Sequence, residues 1–156
     1  MPGSTTKAAS RNDRPGRARL IVDTSALLAI ILDEPEAPRF LDAIVAAEHP
    51  RMSLANWFEA AMVIEEKGGR IASLRFDEFI RTAGIEVMPI TVEQGAAARN
   101  AWRYFGRHKH SARLNFGDCF AYALAKERAE PLLFKGEDFA RTDIEPALKD
   151  RDKDQD

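Results

Sequence analysis

The sequence is poor in the residues that build disulfide frameworks, zinc sites and membrane spans. It has one cysteine, Cys119, in 156 residues, which excludes an internal disulfide. Three histidines, His49, His108 and His110, form no zinc pattern with Cys119, and we interpret them as surface residues. No apolar run approaches the roughly 18 residues of a membrane span. A cytoplasmic protein without a membrane partner is therefore expected.

An excess of positive charge is also missing. The formal net charge is -2, so nucleic acid could be bound only through local basic patches or metal ions. With 45% hydrophobic residues, the chain can bury one sizeable core. We expect one folded domain over residues 19–148. Residues 1–18 are expected to be a disordered basic extension, and residues 149–156 a charged tail.

Apolar runs alternate with helical patterns along the predicted domain. Thr91 and Gln94 have the spacing of a capping box, and Gly68, Gly69 and Gly84 are typical helix ends. Strands are predicted near 20–22, 51–54, 85–90 and 131–134, and helices near 26–32, 40–45, 55–67, 72–83, 92–104 and 116–129. This order indicates βαβ units and a mainly parallel sheet covered on both faces.

Asp23 ends the first predicted strand. Ligands of such sheets bind beyond the carboxyl ends of the strands, which makes this carboxylate a candidate site residue. It could equally cap the following helix, a role worth about 1 kcal/mol. Thr24 or Ser25 could provide that cap instead and leave Asp23 for other work.

Glu59 interrupts an apolar run on a predicted helix. Asn56, Glu59 and Glu66 fall on one side of that helix, so a narrow solvated stripe would explain the carboxylate without any chemistry. Judged alone, Glu59 fits the stripe slightly better than a site.

Asp118 is the strongest single candidate. Its helical neighbours Ala121, Tyr122 and Ala125 form a small-residue face that should pack inward, where a carboxylate needs a partner. The alternative is an acid in the first helical turn, favoured by the helix dipole. That alternative leaves the adjacent Gly117 unexplained.

Several carboxylates brought together would repel one another unless a cation shared them. Oxygen ligands without a matching Cys or His cluster suit a hard ion, Mg²⁺ or Mn²⁺.

Four sequence blocks resemble the signature blocks of VapC toxins in the PIN-domain ribonuclease family. They are IVDTSALLAI from Ile21, LANWFEAAMVIE from Leu54, LNFGDCFAYALA from Leu114 and LLFKGEDFARTDI from Leu132. The resemblance implies a three-layer α/β/α sandwich and an endoribonuclease that is the toxin of a toxin–antitoxin pair. It also implies Mg²⁺ or Mn²⁺ held by Asp23, Glu59 and Asp118.

The resemblance further implies a fourth acid and supporting hydroxyl groups. Asp138 is preferred as the fourth acid because it directly precedes Phe139, whereas Asp143 fits a structural turn. Metal-activated water would hydrolyse the RNA phosphodiester, with Thr24 or Ser25 holding metal-bound waters. Implied partners are RNA, a VapB-like antitoxin whose C-terminal segment enters the acidic site, and a second copy of the chain.

A basic stretch interleaved with aromatics precedes the Asp118 helix. Arg107, Lys109 and Arg113 are predicted to grip RNA phosphates, while Trp102 and Tyr104 could stack on bases or belong to the core.

Two other functions fit the sequence less well. A haloacid-dehalogenase phosphatase expects a second Asp two residues after the first, where Ser25 stands. A non-catalytic PIN-like module that binds RNA or protein would be natural if a core acid were missing, and none is.

Overall fold

The computed structural model describes residues 18–108 and 110–149. Its elements follow in chain order: β1 (Ile21–Val22), α1 (Thr24–Ile31), α2 (Ala37–Ala46), β2 (Arg51–Ser53), α3 (Leu54–Ala83), β3 (Glu86–Met88), α4 (Val92–Phe105), α5 (Phe116–Arg128), β4 (Leu132–Leu133) and a short 3-10 helix (Phe139–Arg141). The predicted extension and tail lie outside the described residues, apart from Ala18 and Lys149, and those two predictions stay untested.

The four strands form one parallel sheet in the order β3-β2-β1-β4. Ile21 pairs with Leu132 on one side and Arg51 on the other. The central position of β1 places its carboxyl end, and therefore Asp23, in the middle of one edge of the sheet. This confirms the predicted parallel α/β architecture.

Side-chain alternation along the strands divides the core into two layers. Val22 and Leu133 point into a cluster with α1, α2 and α3, whereas Ile21 and Leu132 point into a cluster with α4 and α5. Successive residues of a strand face opposite sides of its sheet, so two-residue strands suffice to anchor both layers. The result is the expected α/β/α sandwich.

Several predicted boundaries differ from the structure, and two of the differences have a clear physical cause. The helices expected over 55–67 and 72–83 form one assigned run, α3, interrupted where Gly69 adopts φ 66° and ψ -162°. Gly84 ends the run in the left-handed region, as predicted. The strand expected to reach residue 90 stops at Met88, because Pro89 has no N–H to donate to a ladder.

The capping box predicted at α4 is only half formed. Thr91 Oγ1 accepts from the Gln94 backbone N at 3.1 Å, as expected. The Gln94 amide does not return to the cap, because it donates to a Glu127 oxygen on α5 at 2.7 Å. Within the described residues, no helix is both long and apolar enough to cross a membrane.

Candidate active site

Asp23 lies at the junction of β1 and α1 and is almost completely buried. Its Oδ2 accepts from the Ser25 backbone N at 3.0 Å and from Ser25 Oγ at 2.6 Å. Asp23 is therefore the N-cap of α1, and the prediction that Thr24 or Ser25 could replace it there is wrong. The cap uses one oxygen only. Oδ1 is buried and has no hydrogen-bond partner in the part of the chain that is described.

Thr24 and Ser25 connect the Asp23 turn to neighbouring elements. Thr24 Oγ1 donates to the backbone O of Asn56 on α3 at 3.1 Å. Ser25 Oγ accepts from the backbone N of Lys135, just after β4, at 2.9 Å. Both hydroxyls thus fix the position of Asp23 relative to the rest of the sheet edge.

Glu59 lies on α3 against the start of α5. A Cβ placed on Gly117 would lie 2.7 Å from Glu59 Oε2 and 2.8 Å from Oε1. The solvated-stripe interpretation of this helix face is wrong, because Asn56 is fully buried and Glu59 partly buried. A glycine at position 117 therefore has a steric explanation, because only a residue without a side chain lets the Glu59 carboxylate approach α5 this closely.

Asp118 begins α5 with a structural role of its own. Its Oδ2 accepts from the Asn115 backbone N at 3.0 Å, and its backbone N donates to Asn115 Oδ1 at 2.9 Å, which completes a capping box. The helix-start alternative therefore describes its hydrogen bonds correctly. Ala121 and Ala125 are buried, as the small-residue face predicted. Asp118 is better explained by capping than its sequence suggests.

The electrostatics nevertheless group the predicted acids. Burial is the main cause that raises the pKa of Asp23 from 3.8 to about 6, with a smaller contribution from Glu59. Burial, and then repulsion from Asp23, Asp138 and Glu59, raises the pKa of Asp118 to about 7, against the opposing hydrogen bond from Asn115. Three carboxylates from other segments thus act on Asp118.

Asp138 and Asp143 have different surroundings. Asp138 lines a cavity of about 290 Å³ together with Arg107, Arg113 and Asn115. Asp143 instead accepts from Tyr122 Oη at 2.6 Å and pairs with Lys126 Nζ at 2.8 Å, which ties the chain after the 3-10 helix to α5. Asp143 therefore has a structural role, as expected, and Asp138 as the fourth acid stays a prediction.

The basic stretch forms a loop between α4 and α5. Its ends are tied because Arg107 N donates to Leu114 O at 3.0 Å and Leu114 N to Phe105 O at 2.8 Å. Arg107 and Arg113 reach the cavity beside Asp138, and Lys109 lies outside the described residues. Tyr104 is 73% exposed, so the core interpretation fails for its ring.

Two predictions about residues near this loop are refined by the structure. Trp102 is 43% exposed and also lines an apolar cavity between α4 and α5. His110 is partly buried, and its Nδ1 accepts from Ala112 N at 2.9 Å while its ring packs edge-on against Phe105. It stabilises the loop, whereas His49 and His108 are exposed as predicted.

Within residues 18–108 and 110–149, no three His, Cys, Asp or Glu side chains stand so that they could hold a metal ion together. Asp23 Oδ2 and Asp118 Oδ2 are engaged by backbone N–H groups. The chemistry of the donor set still fits a hard divalent cation. It consists of carboxylates, of which Asp23 and Asp118 have a raised pKa, and Asp23 Oδ1 is buried without a partner among the described residues.

Comparison with known families shows to which family this chain belongs. The sequence model of the PIN domain matches residues 20–145. The chain belongs to the PIN-domain family. Its relatives place it in the VapC group: it is 47% identical over 126 residues to Ribonuclease VapC30 of Mycobacterium tuberculosis, covering 80% of this chain and 95% of that protein. It is 44% identical over 133 residues to Ribonuclease VapC28 of the same species, covering 85% of this chain and all of that protein.

Solved structures share the PIN fold at low sequence identity. VapC20 of Mycobacterium tuberculosis, described as a toxin that cleaves the sarcin-ricin loop, superposes with a TM-score of 0.65 at 15% identity, covering 80% of this chain and 95% of that one. VapBC2 from Rickettsia felis, solved with a promoter DNA fragment, gives 0.66 at 12% identity, covering 82% and 96%. These likenesses confirm the fold.

Three residues that lie beside the predicted acids were not predicted with them: Asn56, Asn115 and Gly117. Asn115 had a sequence signal, since Asn three residues before Asp118 has the spacing of a capping pair. The sequence alone leaves Gly117 without a role. Asn56 precedes Glu59 by one helical turn, a spacing that fits a solvated helix face equally well.

Proposed function

We propose that this chain is a cytoplasmic endoribonuclease toxin that hydrolyses RNA phosphodiester bonds with Mg²⁺ or Mn²⁺. The observation that carries the proposal is the surroundings of Asp118, where burial first, and then repulsion from Asp23, Asp138 and Glu59, raises the pKa of that acid to about 7. A protein gains nothing in stability from such a cluster, because charged groups in a buried site cost free energy unless a cation neutralises them. The ribonuclease names of relatives more than 40% identical support the same reaction.

Asp23, Glu59 and Asp118 would hold the cation. When bound, the cation would supply a water activated for in-line attack and would neutralise charge developing on the phosphate. Ser25 keeps Asp23 Oδ2 directed at the α1 cap, which leaves the buried Oδ1 for the site. Glu59 would alternatively bind a second metal ion or orient the attacking water, and Asp138 would be the fourth acid beside Asp118.

Arg107, Lys109 and Arg113 would hold the RNA backbone. This assignment is supported by the cavity of about 290 Å³ that Arg107 and Arg113 line together with Asp138. Without such cations a cluster of acids would repel a polyanion, and the net charge of -2 provides no wider attraction.

The partners proposed are a VapB-like antitoxin and a second copy of the chain. A toxin–antitoxin complex from Klebsiella pneumoniae shares the fold, with a TM-score of 0.61 at 18% identity, covering 78% of this chain and 90% of that one. A guanidinium from an antitoxin segment would suit the carboxylate cluster, because it pairs with carboxylates bidentately and could replace the metal ion.

The test is cleavage of a labelled single-stranded RNA by the purified chain. We expect cleavage with Mg²⁺ or Mn²⁺, none with excess EDTA and none by Asp23→Asn. Cleavage that survives both controls would refute the metal mechanism. Binding without cleavage under every metal condition would instead favour a non-catalytic RNA-binding module.

A further inference from the structure

Asn56 links the three segments that carry Asp23, Glu59 and Asp118. It is fully buried on α3, one helical turn before Glu59. Its Nδ2 donates to the backbone O of Gly117 at 2.9 Å. Its own backbone O accepts from Thr24 Oγ1 at 3.1 Å. Thr24 and Gly117 are the immediate neighbours of the first and third acids, so one residue contacts both of their turns.

The contact with Gly117 fixes a single peptide group. The Gly117 carbonyl and the Asp118 N–H belong to the same planar unit. Asn56 Nδ2 donates to the Gly117 oxygen of this unit, and Asn115 Oδ1 accepts from its Asp118 nitrogen at 2.9 Å. The peptide that precedes the Asp118 side chain is thus held at its oxygen from α3 and at its nitrogen from the N-cap of α5.

The same face of α3 carries Glu59 against Gly117. Its carboxylate oxygens occupy the space where a side chain on Gly117 would begin. The amide of Asn56 and the carboxylate of Glu59 therefore engage adjacent atoms of α5 from successive turns of one helix. Both contacts fall on Gly117, the residue directly before Asp118.

Packing alone does not explain an asparagine at this position. Its Oδ1 is buried without a hydrogen-bond partner among the described residues, which is a cost that a leucine of similar size would avoid. Buried polar groups that are only partly satisfied are retained where their remaining hydrogen bonds have a specific task.

We propose that Asn56 is a positioning residue that holds the Gly117–Asp118 peptide and so sets the separation of Glu59 and Asp118. This inference rests on the proposed function. It concerns the geometry of the acids rather than any contact with RNA, and it predicts effects on metal affinity and on kcat with little effect on KM.

The test compares Asn56→Leu with the wild-type chain and with Asn100→Leu, a control at an exposed asparagine on α4. Measurements are kcat and KM for a single-stranded RNA, Mn²⁺ affinity by electron paramagnetic resonance without RNA, and the thermal unfolding midpoint. For Asn56→Leu we expect kcat at least about tenfold lower, Mn²⁺ binding at least about tenfold weaker and KM nearly unchanged. The unfolding midpoint should not fall, and the control should match the wild type.

Equal kcat and equal Mn²⁺ affinity in Asn56→Leu would overturn the proposal. If that variant does not fold, Asn56→Ser, whose hydroxyl is too short to reach Gly117, is measured per folded molecule and must show the same losses. A wild-type chain that binds Mn²⁺ but cleaves no RNA would refute the proposed function, while the Mn²⁺ affinities would still decide the role of Asn56. A wild-type chain that binds no Mn²⁺ would refute both.

Discussion

At the scale of single residues, one carboxylate serves folding and the candidate site together. Asp23 Oδ2 caps α1 through Ser25, and Oδ1 is left buried without a partner among the described residues. Capping and function need not exclude each other at this residue, because the two carboxylate oxygens have separate surroundings. The same holds for Asp118, whose Oδ2 caps α5.

The raised pKa values of Asp23 and Asp118 predict how stability changes with pH. Their folded-state values of about 6 and about 7 exceed the ordinary 3.8, so the unfolded chain loses these protons first as pH rises. Their contribution to the free energy of unfolding should therefore fall between about pH 4 and pH 7. Thermal unfolding in EDTA should show a lower midpoint at pH 7.5 than at pH 5, and Mn²⁺ at pH 7.5 should restore it.

Asp118→Asn should stabilise the metal-free chain while it removes activity. The amide keeps an oxygen for the Asn115 N–H but carries no charge, so unfolding at pH 7.5 should cost about 1 kcal/mol more. Loss of one charged ligand should destabilise the transition state by about 3 kcal/mol, which lowers the rate of cleavage about a hundredfold. Urea unfolding and RNA cleavage measure the two effects. A variant that is both less stable and fully active would contradict this account of Asp118.

At the scale of the elements, the start of α5 is set by what it meets on α3. Gly117→Ala should improve helix propensity, yet the new Cβ would meet the Glu59 carboxylate at 2.7 Å. We expect RNA cleavage at least about tenfold lower, because a misplacement of about 1 Å in a site is costly.

The matched control is Gly95→Ala on α4, where a Cβ would meet no atom within 4 Å. It should stabilise the chain by about 0.5–1 kcal/mol and leave cleavage unchanged. Equal cleavage by the Gly117→Ala and Gly95→Ala variants would show that the close approach of Glu59 has no functional role.

Elements with local signals were predictable, and contacts between distant elements were not. The parallel sheet followed from strands alternating with helices, and Asp23 from its place at a strand end. Buried Asn56 has its hydrogen-bond partner at Gly117, 61 residues later in the chain. The helical periodicity around Asn56 gives no information about so distant a contact. The half-formed capping box at α4 has the same cause, because the Gln94 amide donates to Glu127 on α5 instead of to the cap. Local spacing shows which bonds are possible, and tertiary packing selects among them.

At the scale of the whole molecule, the acids and the cations occupy neighbouring parts of one sheet edge. Arg107 and Arg113 share a cavity with Asp138, and Asp138 acts electrostatically on Asp118. The arrangement would let an RNA phosphate be held close to the acids in a chain of net negative charge.

Neutralising both arginines should change the salt dependence of RNA binding. Each phosphate contact contributes about 0.7 to the slope of log K against log salt for a single strand, so Arg107→Gln with Arg113→Gln should flatten it by about 1.4. The control pair Arg70→Gln with Arg75→Gln, exposed on α3, should leave the slope unchanged. Fluorescence anisotropy in EDTA measures both, and equal slopes in the two double variants would reject this cavity as the RNA contact.

The central claim is that Asp23, Glu59, Asp118 and Asp138 surround one divalent cation site. Anomalous diffraction from crystals of the chain soaked in Mn²⁺ tests it most directly, because the peak locates the ion without reference to activity. The account predicts a peak within about 2.5 Å of oxygens of Asp23 and Asp118, absent from Asp23→Asn. Mn²⁺ bound only elsewhere, or no peak at saturating Mn²⁺, would contradict it.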